Sequence, residues 1–293
     1  MDFKIDKCLL LFVILVMLSC GRPIADFSYS GANEAPAHVD FENKSKEAET
    51  YEWDFGDGNK SLDTAPSHRY TNSGNYTVVL KVRKGKKTVT KKKQLLVNSP
   101  EKCYVEIQTN YGNMLIHLYD ATPQHRDNFI KLVEEGFYED LLFHRVIQGF
   151  MIQGGDPDSR NAKPNGPLGG GGPGYQIPAE FVDSLIHVKG ALAAARNNNP
   201  EKKSSGSQFY IVQGRKVTDR ELGLVEARED FNYSSAQKDI YAELGGAPQL
   251  DRGYTVFGMV VEGLEVIDKI AAVKTKPGDR PLEDVKMKMK VIR

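Results

Sequence analysis

The sequence predicts a mainly β protein of two bodies, a β-sandwich over 24–98 followed by a closed β-barrel with capping helices over 103–293. Three observations carry this. The chain has 293 residues, more than one ordinary domain of about 100–200. Its first third reads as short β-branched strands separated by turns, the pattern of a sandwich. Its last two thirds are rich in glycine, with strands outnumbering helices, which suits a barrel. Apolar residues at 40% and charged residues at 27% are ordinary for folded protein. Thirty-nine Lys and Arg balance 39 Asp and Glu, so no charge surplus points to nucleic acid, and Lys91-Lys92-Lys93 reads as a solvated strand end.

Residues 1–19 read as an export leader. Cys8 to Leu18 is an unbroken apolar run of eleven residues, about half of the roughly 20 a membrane span needs. It ends in Met17-Leu18-Ser19-Cys20-Gly21, which resembles the lipobox of bacterial lipoproteins, although Leu18 stands where a small residue is usual. The resemblance implies cleavage before Cys20 and its acylation. An ordinary signal peptide cut nearby, or a retained N-terminus, is the alternative. Several acyl chains, at about 0.8 kcal/mol per buried CH₂, anchor stably where one chain does not. Cys103 then remains as the one unmodified cysteine and reads as a small buried hydrophobe, not a nucleophile.

In the first body Tyr76-Thr77-Val78-Val79-Leu80-Lys81-Val82 alternates as a half-buried strand does, and Lys87 to Val97 gives another after a turn at Gly85. Trp53-Asp54-Phe55-Gly56-Asp57-Gly58 runs from an aromatic strand into a tight turn. With Tyr51-Glu52 before it, and with His68-Arg69-Tyr70 and Gly74-Asn75-Tyr76-Thr77-Val78, this segment resembles a PKD domain, an immunoglobulin-like module. Trp53 is expected in its core. Asp54 and Asp57 lack the 12-residue calcium loop with a terminal Glu, so a turn-stabilising role is preferred to metal binding. A spacer or a module binding an envelope protein or glycan is the expected role.

In the second body the strands on either side of Asn110-Tyr111-Gly112-Asn113 form a hairpin. Thr122-Pro123 opens a helix as cap and first residue, Phe129, Leu132 and Val133 share its inner face, and Gly136 closes it. Strands are expected at Gln208 to Val212 and Thr255 to Val260. Residues 217–247 break the strand pattern with helical turns and read as an insertion near the site.

Chemistry concentrates in Phe143-His144-Arg145-Val146-Ile147-Gln148-Gly149-Phe150-Met151-Ile152-Gln153-Gly154-Gly155-Asp156. Arg145, Phe150, Met151 and Gln153 surround a glycine-bounded strand, giving an apolar pocket with a few oriented donors. No nucleophile–base pair is present, which disfavours a hydrolase. This stretch resembles the signature of cyclophilins, the peptidyl-prolyl cis/trans isomerases. Gly190-Ala191-Leu192-Ala193-Ala194-Ala195-Arg196, Ser205-Gly206-Ser207-Gln208-Phe209-Tyr210-Ile211 and Leu250-Asp251-Arg252-Gly253-Tyr254-Thr255-Val256-Phe257-Gly258 extend the likeness from Tyr104 to Arg293.

The resemblance implies prolyl isomerisation with Arg145 as catalytic donor and Gln153 orienting it and bonding substrate backbone. Phe150, Met151, Tyr210 and Leu250 would form the proline pocket, with Ala195, Arg196, Gln208 and Tyr254 beside it. His144, without spaced Cys or His partners, is expected to be a satisfied structural histidine rather than a metal ligand. Gln249 stands where some members carry a tryptophan that strengthens cyclosporin binding, Tyr254 where histidine is frequent, and Arg196 where asparagine is common. Weak cyclosporin sensitivity is therefore expected. The four glycines Gly169 to Gly172 lack a Gly-Lys-Ser/Thr ending, so 164–174 reads as a flexible loop rather than a phosphate cradle. No cofactor or metal is expected. The expected partners are proline-containing exported polypeptides and, through the lipid, the membrane. The expected place is the bacterial cell envelope, at the outer membrane facing the periplasm because Gly21 is not an inner-membrane aspartate.

Overall fold

A computed structural model describes residues 22–31, 33–98, 103–163 and 166–292. The leader, Cys20 and residues 99–102 between the two expected bodies lie outside the described residues. The described residues form two compact units, one drawing on 22–29, 40–66 and 77–94, the other on described residues of 30–39, 67–76 and 95–292.

Among the described residues, seven strands precede Asn98: β1 (Phe27–Gly31), β2 (Ala37–Asn43), β3 (Thr50–Asp54), β4 (Lys60–Ser61), β5 (Ser67–Tyr70), β6 (Gly74–Lys84) and β7 (Lys87–Val97). They make two sheets, ordered β1-β2-β5 and β4-β3-β6-β7. Period-2 burial in β2, with Ala37, Val39 and Phe41 inside, follows directly from the pleat. The first unit's core is aromatic: the Trp53 ring centroid lies 5.1 Å from Phe27 and 5.4 Å from Phe41, and its Nε1 donates to the Asp63 carbonyl at 3.0 Å. Asp54 and Asp57 accept the N–H groups of Gly56 and Asn59, each at 3.0 Å, so both carboxylates serve their own turns. The lysine run lies within β7, an edge strand, where like charges discourage further strand pairing; it is not at the strand end.

The second unit carries β8 (Tyr104–Thr109), β9 (Gly112–Leu118), β10 (Leu141–Leu142), β11 (Arg145–Ile147), β12 (Met151–Gly154), β13 (Gln176–Ile177), β14 (Ala191–Ala194), β15 (Ser204–Ser205), β16 (Phe209–Val212), β17 (Val256–Glu262) and β18 (Lys286–Ile292). Nine of them form one curled sheet in the order β10-β18-β8-β9-β17-β14-β16-β12-β11. The expected barrel is not fully closed. Its edge strands β10 and β11 are two and three residues long and follow one another across Phe143-His144, leaving no length for mutual pairing. The β11 edge instead bonds a loop, Val146 N–H donating to the Asp279 carbonyl at 2.8 Å.

Among the described residues, four helices accompany the sheet: α1 (Pro123–Glu134), α2 (Asp219–Glu229), α3 (Ser235–Leu244) and α4 (Leu264–Ala271). Thr122 precedes α1 but makes no side-chain cap. The carboxylate of Glu180 takes that place, accepting the Gln124 and His125 N–H groups at 3.0 Å each. Helices α2 and α3 occupy the 217–247 segment, each opened by a reciprocal capping box, Thr218 with Glu221 and Ser234 with Gln237. The main core gathers Val105, Ile107, Ile116, Phe129, Ile152, Ile211 and Phe257 on one face of the sheet. Cys103 is buried in it, and burial pushes its thiol up to about 11, which keeps it protonated and unreactive.

Candidate active site

Strand register decides which side chains meet. Across the sheet Arg145 pairs with Gln153, Gln153 with Tyr210, Tyr210 with Ala193 and Ala193 with Val256. Cross-strand partners share a face, so these five form one row. The next row holds Ile147, Met151 and Val212. Both rows lie on the face opposite Val146, Ile152 and Ile211, which belong to the main core. A slip of one residue would exchange the two faces. The β11–β12 hairpin turns at Gly149, whose φ of 76° suits glycine, and Gln213 caps it by accepting the Gly149 N–H at 2.6 Å. That turn fixes Phe150 at the rim, its carbonyl accepting the N–H groups of Gln213 and Gly214.

The apolar residues expected at the site come together. Met151, Ala195 and Tyr210 are buried in one cluster, with Phe150, Leu250 and Tyr254 packed against it half-buried. Tyr210 meets Tyr254 edge-on at 5.9 Å, and the Arg196 guanidinium lies over the Tyr254 ring at 4.6 Å while its Nε donates to the Gly253 carbonyl.

Two cavities meet at Gln153 and Gly169. One, of about 620 Å³, is lined by Gln153, Gly171, Ala195, Arg196 and Gln208 among others. The other, of about 670 Å³, is lined by His144, Arg145, Gln153, Leu168, Lys276 and Arg280 among others. Phe150, Met151, Tyr210, Leu250 and Tyr254 line neither; they form a packed apolar face adjoining them.

The polar contacts differ from expectation in three places. Arg145 is held by Asp279, not by Gln153: its Nε donates to the Asp279 carboxylate at 3.2 Å, and its two Nη groups have no partner among the described residues. Gln153 instead donates to Gln208 Oε1 at 3.1 Å, which leaves its own Oε1 unengaged among the described residues. The glycine-rich loop is pinned rather than loose, because Gln208 Nε2 donates to the carbonyls of Gly169 (3.0 Å) and Gly171 (2.7 Å) and Asp156 accepts the Gly169 N–H. His144 is buried at 4% exposure, yet neither ring nitrogen has a hydrogen-bond partner among the described residues. Burial pulls its pKa down to about 4, so the ring is neutral at ordinary pH.

Sequence reasoning missed Asp279, 134 residues from Arg145. It also missed a buried chain behind the apolar face. The Tyr210 hydroxyl meets His187 Nε2 at 3.0 Å, His187 Nδ1 meets Asp251 at 2.6 Å, and Asp251 accepts the hydroxyls of Tyr233 and Tyr241. Asp251 stood inside a quoted motif, but nothing local reports its partners.

The two Arg145 Nη groups and the Gln153 amide oxygen, without partners among the described residues, thus stand beside an apolar face. The family profile described as "Cyclophilin type peptidyl-prolyl cis-trans isomerase/CLD" matches residues 104–291, and a PKD-domain profile matches 21–98. The chain belongs to the cyclophilin-type peptidyl-prolyl cis-trans isomerase family, with a PKD domain ahead of the isomerase domain. It is 40% identical over 187 residues to a Streptococcus pyogenes protein named as a bifunctional phosphatase/peptidyl-prolyl cis-trans isomerase, covering 62% of this chain and 37% of that one. It is 36% identical over 182 residues to a Staphylococcus aureus protein named as a peptidyl-prolyl cis-trans isomerase, covering 62% of this chain and 87% of that one. A solved Cryptosporidium parvum cyclophilin-type isomerase is similar at a TM-score of 0.49 and 24% identity, covering 66% of this chain and 98% of the other.

Proposed function

We propose that this chain accelerates rotation about X-Pro bonds by stabilising the twisted amide with Arg145. The uncatalysed barrier of about 18–20 kcal/mol arises because twisting removes amide resonance. A catalyst lowers it by binding the twisted form better than either planar form. Twisting localises the lone pair on the prolyl nitrogen, and an Arg145 Nη group donates to it. The unengaged Gln153 Oε1 accepts a substrate backbone N–H, while Phe150, Met151, Tyr210 and Leu250 receive the proline ring. Bonds are neither made nor broken, and no proton moves in net terms. One observation carries the reading: Arg145 is restrained at Nε by Asp279 while both Nη groups remain unpaired among the described residues, beside the apolar face.

The substrates in this reading are proline-containing exported polypeptides, whose slow isomerisation delays folding. Ser19-Cys20-Gly21 supports acylation at Cys20 and a tether at the outer membrane facing the periplasm, with the PKD domain as spacer or as the part that binds an envelope protein or glycan. The competing reading is a holder of proline segments without turnover, favoured by Arg196 lying across Tyr254. Isomerisation of an Ala-Pro tetrapeptide by the chain without its leader, against Arg145→Ala, separates the two. Rate enhancement lost in Arg145→Ala supports catalysis. Peptide binding with no enhancement in either form supports holding. Mass spectrometry of the mature N-terminus tests Cys20.

A further inference from the structure

The insertion formed by α2 and α3 is tied to the substrate face by an unbroken line of buried hydrogen bonds. Asp251 Oδ2 accepts the hydroxyl of Tyr233 at 2.5 Å, just before α3, and that of Tyr241 at 2.6 Å, within α3. Asp251 Oδ1 accepts His187 N–H at 2.9 Å and Nδ1–H at 2.6 Å. With Nδ1–H donating to that carboxylate, Nε2 faces the Tyr210 hydroxyl as its acceptor at 3.0 Å. His187 also stacks on the Tyr210 ring, 6.0 Å apart at 15°. His187 and Tyr241 are fully buried, and Asp251, Tyr210 and Tyr233 are 5% exposed or less. Burial, reinforced by the Asp251 carboxylate, raises both insertion phenols far above the usual tyrosine value, so they remain donors.

We propose that the 217–247 insertion positions the Tyr210 ring through Asp251 and His187, making these two positioning residues for the proline site. The inference rests on the reading that Tyr210 receives the proline ring. A fully satisfied buried network rigidifies its members. An apolar side chain at 210 would serve as core without this chain of donors; the hydroxyl adds a fixed end point. The same carboxylate also immobilises the backbone next to Leu250, because Asp251 follows it directly in the turn. The insertion thereby reaches two residues of the apolar face, Tyr210 and Leu250, through Asp251.

The experiment is a double-mutant cycle in the chain lacking its leader, combining Tyr233→Phe/Tyr241→Phe with Tyr210→Phe. Measured are kcat/KM and Kd for an Ala-Pro tetrapeptide, the thermal midpoint, and the ring-flip rate of ¹³C-labelled Tyr210. The insertion pair is expected to lower kcat/KM about fivefold when Tyr210 is present and not at all in Tyr210→Phe, a coupling within the range for one network. Tyr210 ring flips accelerate in the insertion pair, while the thermal midpoint falls equally in both backgrounds. Equal losses of kcat/KM in both backgrounds, or an unchanged flip rate, overturn the proposal. If the unsubstituted chain binds without turnover, the cycle is read in Kd. If it neither binds nor turns over peptide, the proline-site reading fails, and the flip rate still tells whether the insertion restrains Tyr210.

Discussion

Asp279→Ala separates positioning from stability at the proposed catalytic arginine. The Arg145 and Asp279 side chains are 44% and 42% exposed, so their ion pair contributes below about 1 kcal/mol to folding. The backbone bond from Val146 N–H to the Asp279 carbonyl survives the substitution. The thermal midpoint should therefore move by only about 1–2 °C. Restraint of the guanidinium is what the pair does supply. An arginine side chain carries about 2 kcal/mol of rotamer entropy, and releasing roughly half of it dilutes the productive orientation about fivefold. The expected result is a fivefold fall in kcat/KM for an X-Pro tetrapeptide, followed by exchange-detected NMR, with nearly unchanged stability. Asp279→Asn, which keeps an acceptor, should recover part of the loss. Full activity in Asp279→Ala would refute the idea that this carboxylate aims Arg145.

Three further outcomes are expected. His144 is neutral when folded down to about pH 4, whereas an unfolded histidine protonates below about 6.5, so its contribution is fully present above about 6.5 and is lost as pH falls towards 4. The loss is on the order of 3 kcal/mol, and urea midpoints of wild type minus His144→Gln across pH 4–7 should show it; a flat difference would remove the assignment. Gln208→Ala releases the carbonyls of Gly169 and Gly171 and the Gln153 amide together, so hydrogen exchange at residues 166–174 should rise while strand amides in β16 stay protected. Glu180→Ala uncaps α1 at two N–H groups and should cost about 2 kcal/mol, measurable as a lower denaturation midpoint; an unchanged midpoint would contradict the cap.

Local pattern carried much of the fold. The β-branched alternation at 76–82, the hairpin at 110–113 and the Thr-Pro start of α1 all stand in short windows, and each element is present. Helix α4 went unread, although Val266, Ile267, Ile270 and Ala271 mark its buried face, because eight residues directly after a strand offer little over two turns of period. Thr122 illustrates a misleading local signal: it looks like a cap, but Glu180, 55 residues from His125, does the capping. Closure of the barrel was not legible either, since it depends on two edge strands too short to pair. At the site, motif positions marked Arg145, Gln153 and the apolar face. Their hydrogen-bond partners join residues 64 and 134 positions apart, as in His187 with Asp251 and Arg145 with Asp279, and no spacing rule reaches across such separations.

The on-enzyme exchange rate of a saturating Ala-Pro peptide, measured with Kd in wild type and Arg145→Ala, isolates the chemical step from binding. Loss of a guanidinium that acts on the twisted amide should slow exchange by about a hundredfold or more and change Kd by no more than about threefold. Exchange on the enzyme that stays within about twofold of wild type, with the loss confined to Kd, would show that Arg145 merely holds the peptide.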